Sequence, residues 1–172
     1  MKNINVRAGQ TIAIGGLARS GKSELASVWR CALRERGIVA HVVSLDGWLK
    51  PFDKRGPEGG GWQDRYEAEA LEEFLRLVMG RRDAGGSMEL QIPQYDRVSR
   101  QARPDQLTRT IGKEDVVLFE GVVALEIPVL RSALRVWLMS TSACVRNGLF
   151  ANTRGVADQR RRSGFLWTDR LT

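Results

Sequence analysis

Gly16-Leu-Ala-Arg-Ser-Gly21-Lys22-Ser23 is the stretch that decides how the rest of this chain is read. It fits G-x-x-x-x-G-K-[ST], in which glycines let the backbone turn its N–H groups onto a phosphate. The helix that follows presents its positive N-terminus to the same anion. The lysine of such a loop reaches the β- and γ-phosphates, and the hydroxyl beside it binds Mg²⁺. The flanks suit this reading. Thr11 to Ile14 is a short apolar run, and Leu25, Val28, Trp29, Ala32 and Leu33 recur at helical spacing between Lys22 and Arg36, with Gly37 placed to cap that helix. Strand, glycine-rich turn and amphipathic helix in that order predict a nucleotide cradle at Gly16, Ala18, Arg19, Ser20, Gly21, Lys22, Ser23 and Glu24.

Outward from the loop, strand and helix patterns alternate. Ile38 to Leu45 is a second apolar, valine-containing run. Asp46 to Asp64 is polar, with Pro51, Pro57 and three consecutive glycines from Gly59, so it reads as a long loop, either functional or disordered. Tyr66 to Met79 predicts a helix with Leu71, Phe74, Leu75 and Val78 inward, and Met88 to Ile92 a short strand. Gln94 to Thr110 is polar and arginine-rich. Val116 to Phe119 is a continuous apolar strand, Ile127 to Leu134 a short helix and Val136 to Met139 another strand. From Ser142 the chain reads as helical, then basic. Strands separated by helices, and apolar throughout, predict a parallel sheet covered on both faces. The expectation is an α/β, three-layer P-loop NTPase fold with a mostly parallel central sheet of about five strands, in a single domain over residues 1–172.

Composition narrows the function. The 172 residues are 42% hydrophobic, enough for one core. No apolar run approaches the ~18 residues of a membrane helix, and the N-terminus lacks a secretory apolar region, so the expected location is cytoplasmic. Cys31 and Cys144 stand far apart, which suits a reducing compartment and gives neither a disulfide framework nor a zinc site. His41 is the only histidine and lies inside an apolar run, where it reads as a strand residue. The net charge is +7, and six arginines against two acids from Cys144 onward place +4 of it at the end of the chain. A nucleic-acid module would explain that end but not the phosphate loop, so no nucleic-acid or membrane partner is expected. A GTPase would need Asn-Lys-x-Asp, which the sequence lacks.

Three further features suit phosphoryl transfer. The strand Val116-Val-Leu-Phe delivers Glu120 to the carboxyl edge of the sheet, where it can hold Mg²⁺ directly or through water. Asp46 follows the second strand, where a carboxylate can accept the proton of an acceptor hydroxyl, although Asp-Gly is also an ordinary turn pair. Ser23, Asp46 and Glu120 are thus the candidate metal set. Arg146 and Arg154, and to a lesser degree Arg160, Arg161 and Arg162, are candidates for a lid over about residues 142–162 that neutralises the γ-phosphate oxygens.

Together these residues resemble the uridine kinase and phosphoribulokinase family of P-loop kinases. The resemblance rests on Ile14 to Ser23, Ser44-Leu-Asp-Gly-Trp48, Gln91-Ile-Pro-Gln-Tyr-Asp-Arg-Val-Ser99 and Leu118-Phe-Glu-Gly121. It implies that Lys22 and Ser23 hold ATP and Mg²⁺, that Asp46 is the catalytic carboxylate, and that Glu120 lies near metal and acceptor. It also implies that Tyr95 lines the acceptor pocket and that Arg146 and Arg154 serve the lid. The family's Phe-Asp-His-Pro segment is replaced by Gly59-Gly-Gly-Trp-Gln-Asp64, and Arg100 stands where the family carries a pyrimidine-side histidine. Two groups that would read uridine are therefore missing. Arg65, Arg97, Arg100 and Arg103 gather around the expected acceptor pocket, and arginine forks suit carboxylates and phosphates. Trp48 and Trp62 flank the same loop, either to stack on a ring or to anchor the loop.

The functional expectation is an ATP-dependent kinase that transfers the γ-phosphate of Mg-ATP to the hydroxyl of a small molecule. The acceptor is expected to be other than uridine, with an anionic compound as one candidate beside the reading in which several of these arginines face water, and with Trp48, Arg65, Tyr95, Arg100 and Glu120 as the acceptor-side residues. The alternatives are a regulatory ATP-binding protein without catalysis and a P-loop nucleotide kinase.

Overall fold

The computed structural model describes residues 6–57, 60–81, 86–96, 98–99 and 101–139. The chain divides into two units, and these residues belong to the one spanning Asn5–Met139. In chain order its elements are β1 (Thr11–Gly16), α1 (Lys22–Glu35), β2 (Ala40–Ser44), α2 (Trp62–Arg65), α3 (Ala68–Gly80), β3 (Ser87–Asp96), β4 (Gln101–Gly112), β5 (Val116–Glu120) and β6 (Leu134–Leu138). Three 3₁₀ turns, Leu45–Trp48, Phe52–Lys54 and Pro128–Ser132, complete it.

The central sheet has the order β2-β5-β1-β6, and every neighbouring pair is parallel. β1 and β5 are buried at every residue, as two-sided cover requires. Successive side chains point to opposite faces. Ala13, Val43, Val117 and Phe119 share one cluster with Leu71, Phe74, Leu75 and Val78 of α3. Ile12, Ile14 and Leu118 belong to the opposite face, the side of α1, which packs on β1, β2 and β5 and buries Ala26 and Leu33. One helix per face makes the three layers. Parallel strands need such crossovers, because a tight turn cannot return the chain to run in the same direction.

Two expectations need correction. The run Met88–Ile92 does not join the central sheet. It is part of β3, which pairs antiparallel with β4 in a separate two-stranded sheet, so four strands form the central sheet among the described residues. The polar stretch Gln94–Thr110, to which the sequence assigns no element, contains most of β4. The outer face of this hairpin meets solvent, and of the later β4 residues only Leu107 and Ile111 turn inward. A strand with so little apolar content has no alternation to read. The helix expected from Tyr66 begins at Ala68 instead. Tyr66 is extended and forms an isolated bridge with Leu49, and the Glu67 N–H donates to the Trp48 carbonyl.

At the amino-terminal edge of the sheet the polar groups bind one another. Arg81, 1% exposed, donates to the Thr11 hydroxyl and to the carbonyls of Val78, Gly9 and Asp115, all at 2.8–3.0 Å. His41 Nε2 lies 2.8 Å from Asp115 Oδ2, which also accepts the Gly112 N–H. His41 is a strand residue, as read, with its ring engaged far from the loop.

Candidate active site

The loop after β1 has the backbone angles an anion seat needs. Gly16 has φ 148°, and a Cβ there would lie 2.3 Å from the Leu138 carbonyl oxygen, so only glycine fits. Arg19 (φ 60°) and Gly21 (φ 89°) both take left-handed angles. For arginine this is uncommon, and such backbone clusters at binding sites because it turns successive N–H groups to one side. α1 starts at Lys22 with no side chain capping it, which leaves its first N–H donors for a ligand. Ser20 Oγ is buried and has no hydrogen-bond partner among the described residues. Lys22 is 7% exposed, and its ammonium donates to the Leu17 carbonyl at 2.6 Å, within the loop itself. A buried hydroxyl without a partner and a buried ammonium bound to its own loop fit a site shaped for a phosphate chain. Ala18, Arg19, Ser23 and Glu24 are exposed along the same turn.

The strand register brings the acids to this loop. Ser44, Glu120 and Ile14 are aligned across β2, β5 and β1. Glu120 therefore ends its strand between the phosphate loop and the segment after β2. Its side chain is 4% exposed, with no hydrogen bond among the described residues. Asp46 follows two residues beyond Ser44, half-buried in the Leu45–Trp48 turn. With strands about 4.8 Å apart, two spacings put the ends of β1 and β2 roughly 10 Å from each other. No group of three or more His, Cys, Asp or Glu that could hold a metal alone occurs among the described residues. Two carboxylates and a serine suit Mg²⁺, which keeps waters and shares phosphate oxygens rather than entering a protein cage.

The acceptor side is built from the 46–66 segment and β3. Gly47 sits under the hairpin, where a Cβ would come 2.1 Å from the Pro93 carbonyl oxygen, so Asp46 is tied to β3. The segment expected as a long loop is held by its own bonds. The Lys50 N–H donates to Arg65 O at 3.0 Å, Gly56 N–H to Asp64 O at 3.0 Å, and the Lys50 ammonium to Gln63 O at 3.0 Å. Arg55 Nε donates to Lys50 O, and Arg55 Nη2 to the Tyr95 hydroxyl, both at 2.8 Å. The Tyr66 hydroxyl is pushed well above its ordinary range, first by burial and then by the Asp46 carboxylate, against the opposing pull of Arg65 and Arg55. Tyr66 thus marks a point that Asp46, Arg65 and Arg55 all reach electrostatically.

Several expected residues are placed differently from one another. Tyr95 is half-buried and faces the 46–66 segment through Arg55. Arg65 is exposed at the end of α2. Trp48 is 5% exposed with its ring 4.7 Å from that of Phe74, so it anchors the core and leaves no ring face for a ligand. Trp62 is buried too. Arg97, Arg100, Arg146 and Arg154, with the lid segment, lie outside the described residues. The sequence reading missed Arg55 and Tyr66. The single available signal was an arginine in a segment already marked as functional.

Fold and site together define the three-layer α/β architecture of the P-loop NTPase fold. Solved structures of similar shape include a possible uridine kinase from Bacillus stearothermophilus, at TM-score 0.61 and 23% identity over 93% of this chain and 89% of that one. A candidate fructose transport system kinase from a Silicibacter species follows at TM-score 0.59 and 19% identity, over 92% of this chain and 82% of that one. No protein-family model matches the sequence, and no curated protein matches it either.

Proposed function

We propose that the protein is a small-molecule kinase that transfers the γ-phosphate of ATP to an acceptor hydroxyl. The observation that carries this reading is the alignment of Ile14, Glu120 and Ser44 across the sheet, which sets the phosphate loop, Glu120 and Asp46 along one edge. The kinase descriptions of the two similar structures support it.

Each residue has a task that follows from its place. The N–H groups from Gly16 to Ser23 and the start of α1 bind the phosphate chain. The Lys22 ammonium leaves the Leu17 carbonyl for the β- and γ-phosphates, where its charge counts for more. Ser23 and Glu120, with Asp46 nearby, would hold Mg²⁺, which would supply positive charge to the phosphate oxygens. Asp46 orients the acceptor hydroxyl and takes its proton while that oxygen bonds to the γ-phosphorus. The bond from the γ-phosphorus to the bridging oxygen breaks, and ADP leaves with the electron pair. The buried Tyr66 hydroxyl stays protonated and can donate to the Asp46 side of the site. Arg146 and Arg154, the lid cations expected from the sequence, lie outside the described residues.

The test mixes purified protein with Mg-ATP and nucleosides, sugars, sugar phosphates or small hydroxy acids, and follows ADP release. Release that depends on one acceptor class is expected. ATP bound without release from any acceptor would contradict transfer.

A further inference from the structure

The 46–66 segment folds back on itself, and Arg55 is the residue that fastens it to the hairpin. A guanidinium carries five N–H groups. One, on Nε, goes to the Lys50 carbonyl, and one, on Nη2, goes to the Tyr95 hydroxyl. Arg55 has no further hydrogen bond or ion pair among the described residues, so three N–H groups remain. The same guanidinium lies 5.7 Å from the centroids of both the Phe52 and the Tyr95 rings. Two aromatic contacts and two hydrogen bonds fix its plane, and a fixed plane is what lets an arginine fork bind a carboxylate or phosphate at low entropic cost. Burial is only partial, so the remaining donors are open to a solute.

Arg55 also stands on the acceptor side and not with the nucleotide. It bridges the two pieces of chain that flank Asp46: the segment after β2, and β3, whose Pro93 carbonyl lies against Gly47. Arg55 and Asp46 both act on the one buried hydroxyl of Tyr66. Asp46 adjoins Gly47, which lies against Pro93 of β3, and Arg55 binds Tyr95 two residues further along the same strand, so a substrate with its hydroxyl at Asp46 has a preorganised cation on its own side of the site. A neutral acceptor would not repay the desolvation of that cation, whereas an oxyanion would meet two parallel donors.

We propose that Arg55 is the specificity-determining residue of the acceptor pocket and selects acceptors that carry an oxyanion, a carboxylate or a phosphate, beside the hydroxyl to be phosphorylated. This rests on the kinase reading for the pocket's role but concerns binding, so it is tested without turnover.

The experiment is calorimetric titration of the full chain, saturated with Mg²⁺ and a non-hydrolysable ATP analogue. The titrants are glycerate, glucose 6-phosphate and the neutral pair fructose and uridine. Wild type is expected to bind glycerate or the sugar phosphate more tightly than either neutral compound, and whichever it is names the source of the oxyanion. Arg55→Gln should weaken that binding about 10- to 100-fold, the range for a lost charge-assisted pair. Arg55→Lys keeps the charge without the fork and should fall between. Tyr95→Phe frees the guanidinium from one tie and should lose less than Arg55→Gln. Thermal unfolding of each variant checks the fold, and Arg55→Lys serves if Arg55→Gln does not fold. Equal or tighter binding of fructose or uridine, anion binding unchanged by Arg55→Gln, or no binding of either anion would overturn the proposal. Loss of ADP formation with intact Arg55-dependent anion binding would sink the kinase reading alone.

Discussion

The two edges of the central sheet carry similar polar residues and use them in opposite ways. At the amino edge, Arg81 binds three carbonyls and a hydroxyl, and His41, Asp115 and Gly112 satisfy one another. At the carboxyl edge the Ser20 hydroxyl is buried without a partner among the described residues, and Glu120 ends β5 only 4% exposed. Lys22 turns back on its own loop. A buried hydroxyl without a partner costs about 1–3 kcal/mol, so Ser20 stores an expense that a bound phosphate chain would offset. One edge stabilises the fold and the other is kept ready for a ligand. Substitutions should therefore separate stability from nucleotide binding according to the edge they fall on.

The largest expected effect is at Lys22. Lys22→Ala should weaken ATP binding by roughly 10- to 100-fold, since a charge-assisted contact to phosphate is lost, while urea unfolding shifts by less than about 1 kcal/mol. Unchanged ATP affinity in a calorimetric titration would break the comparison at once. Arg81→Leu is the mirror case. It removes the donor shared by Gly9, Val78, Asp115 and Thr11, and should cost about 3 kcal/mol in urea unfolding with ATP affinity of the folded protein unchanged.

Ser20→Ala sharpens the contrast. The hydroxyl has no partner to lose, so stability should hold within about 0.5 kcal/mol or rise. ATP affinity should nevertheless drop several-fold. A marked loss of stability would show that the hydroxyl is satisfied in the free protein.

The smallest effect lies at the hairpin tip, away from both edges. The Val98 N–H and then the Ser99 hydroxyl hold the Asp96 carboxyl below its ordinary value of 3.8. A depressed folded pKa means that the turn gains its support above 3.8 and loses it as pH falls through the lower folded value. The Val98 amide resonance should titrate with a midpoint below 3.8, and Asp96→Asn should abolish that titration.

Much of the carboxyl edge is legible in the sequence, because the phosphate loop sets glycine, lysine and serine at fixed spacing. β1 and β5 are apolar runs that delivered Glu120 to the expected edge. The hairpin was not legible, since β4 shows solvent-facing polar residues with little alternation. Trp48 was ambiguous for a different reason. A tryptophan beside a loop serves a core or a ligand equally well, and only its contact with Phe74 decides for the core. Arg55 could not be ranked above the other arginines, because its partners Lys50 and Tyr95 lie five and forty positions away. The amino-edge clamp is equally hidden, since Arg81 and Gly9 are 72 positions apart.

The most direct test compares acceptor-dependent ADP formation by wild type and Asp46→Asn, with ATP binding measured on the same preparations. The account predicts a loss of about 10²- to 10⁴-fold in turnover, the range for removing a general base, with ATP affinity retained. Near-wild-type turnover in Asp46→Asn would contradict it.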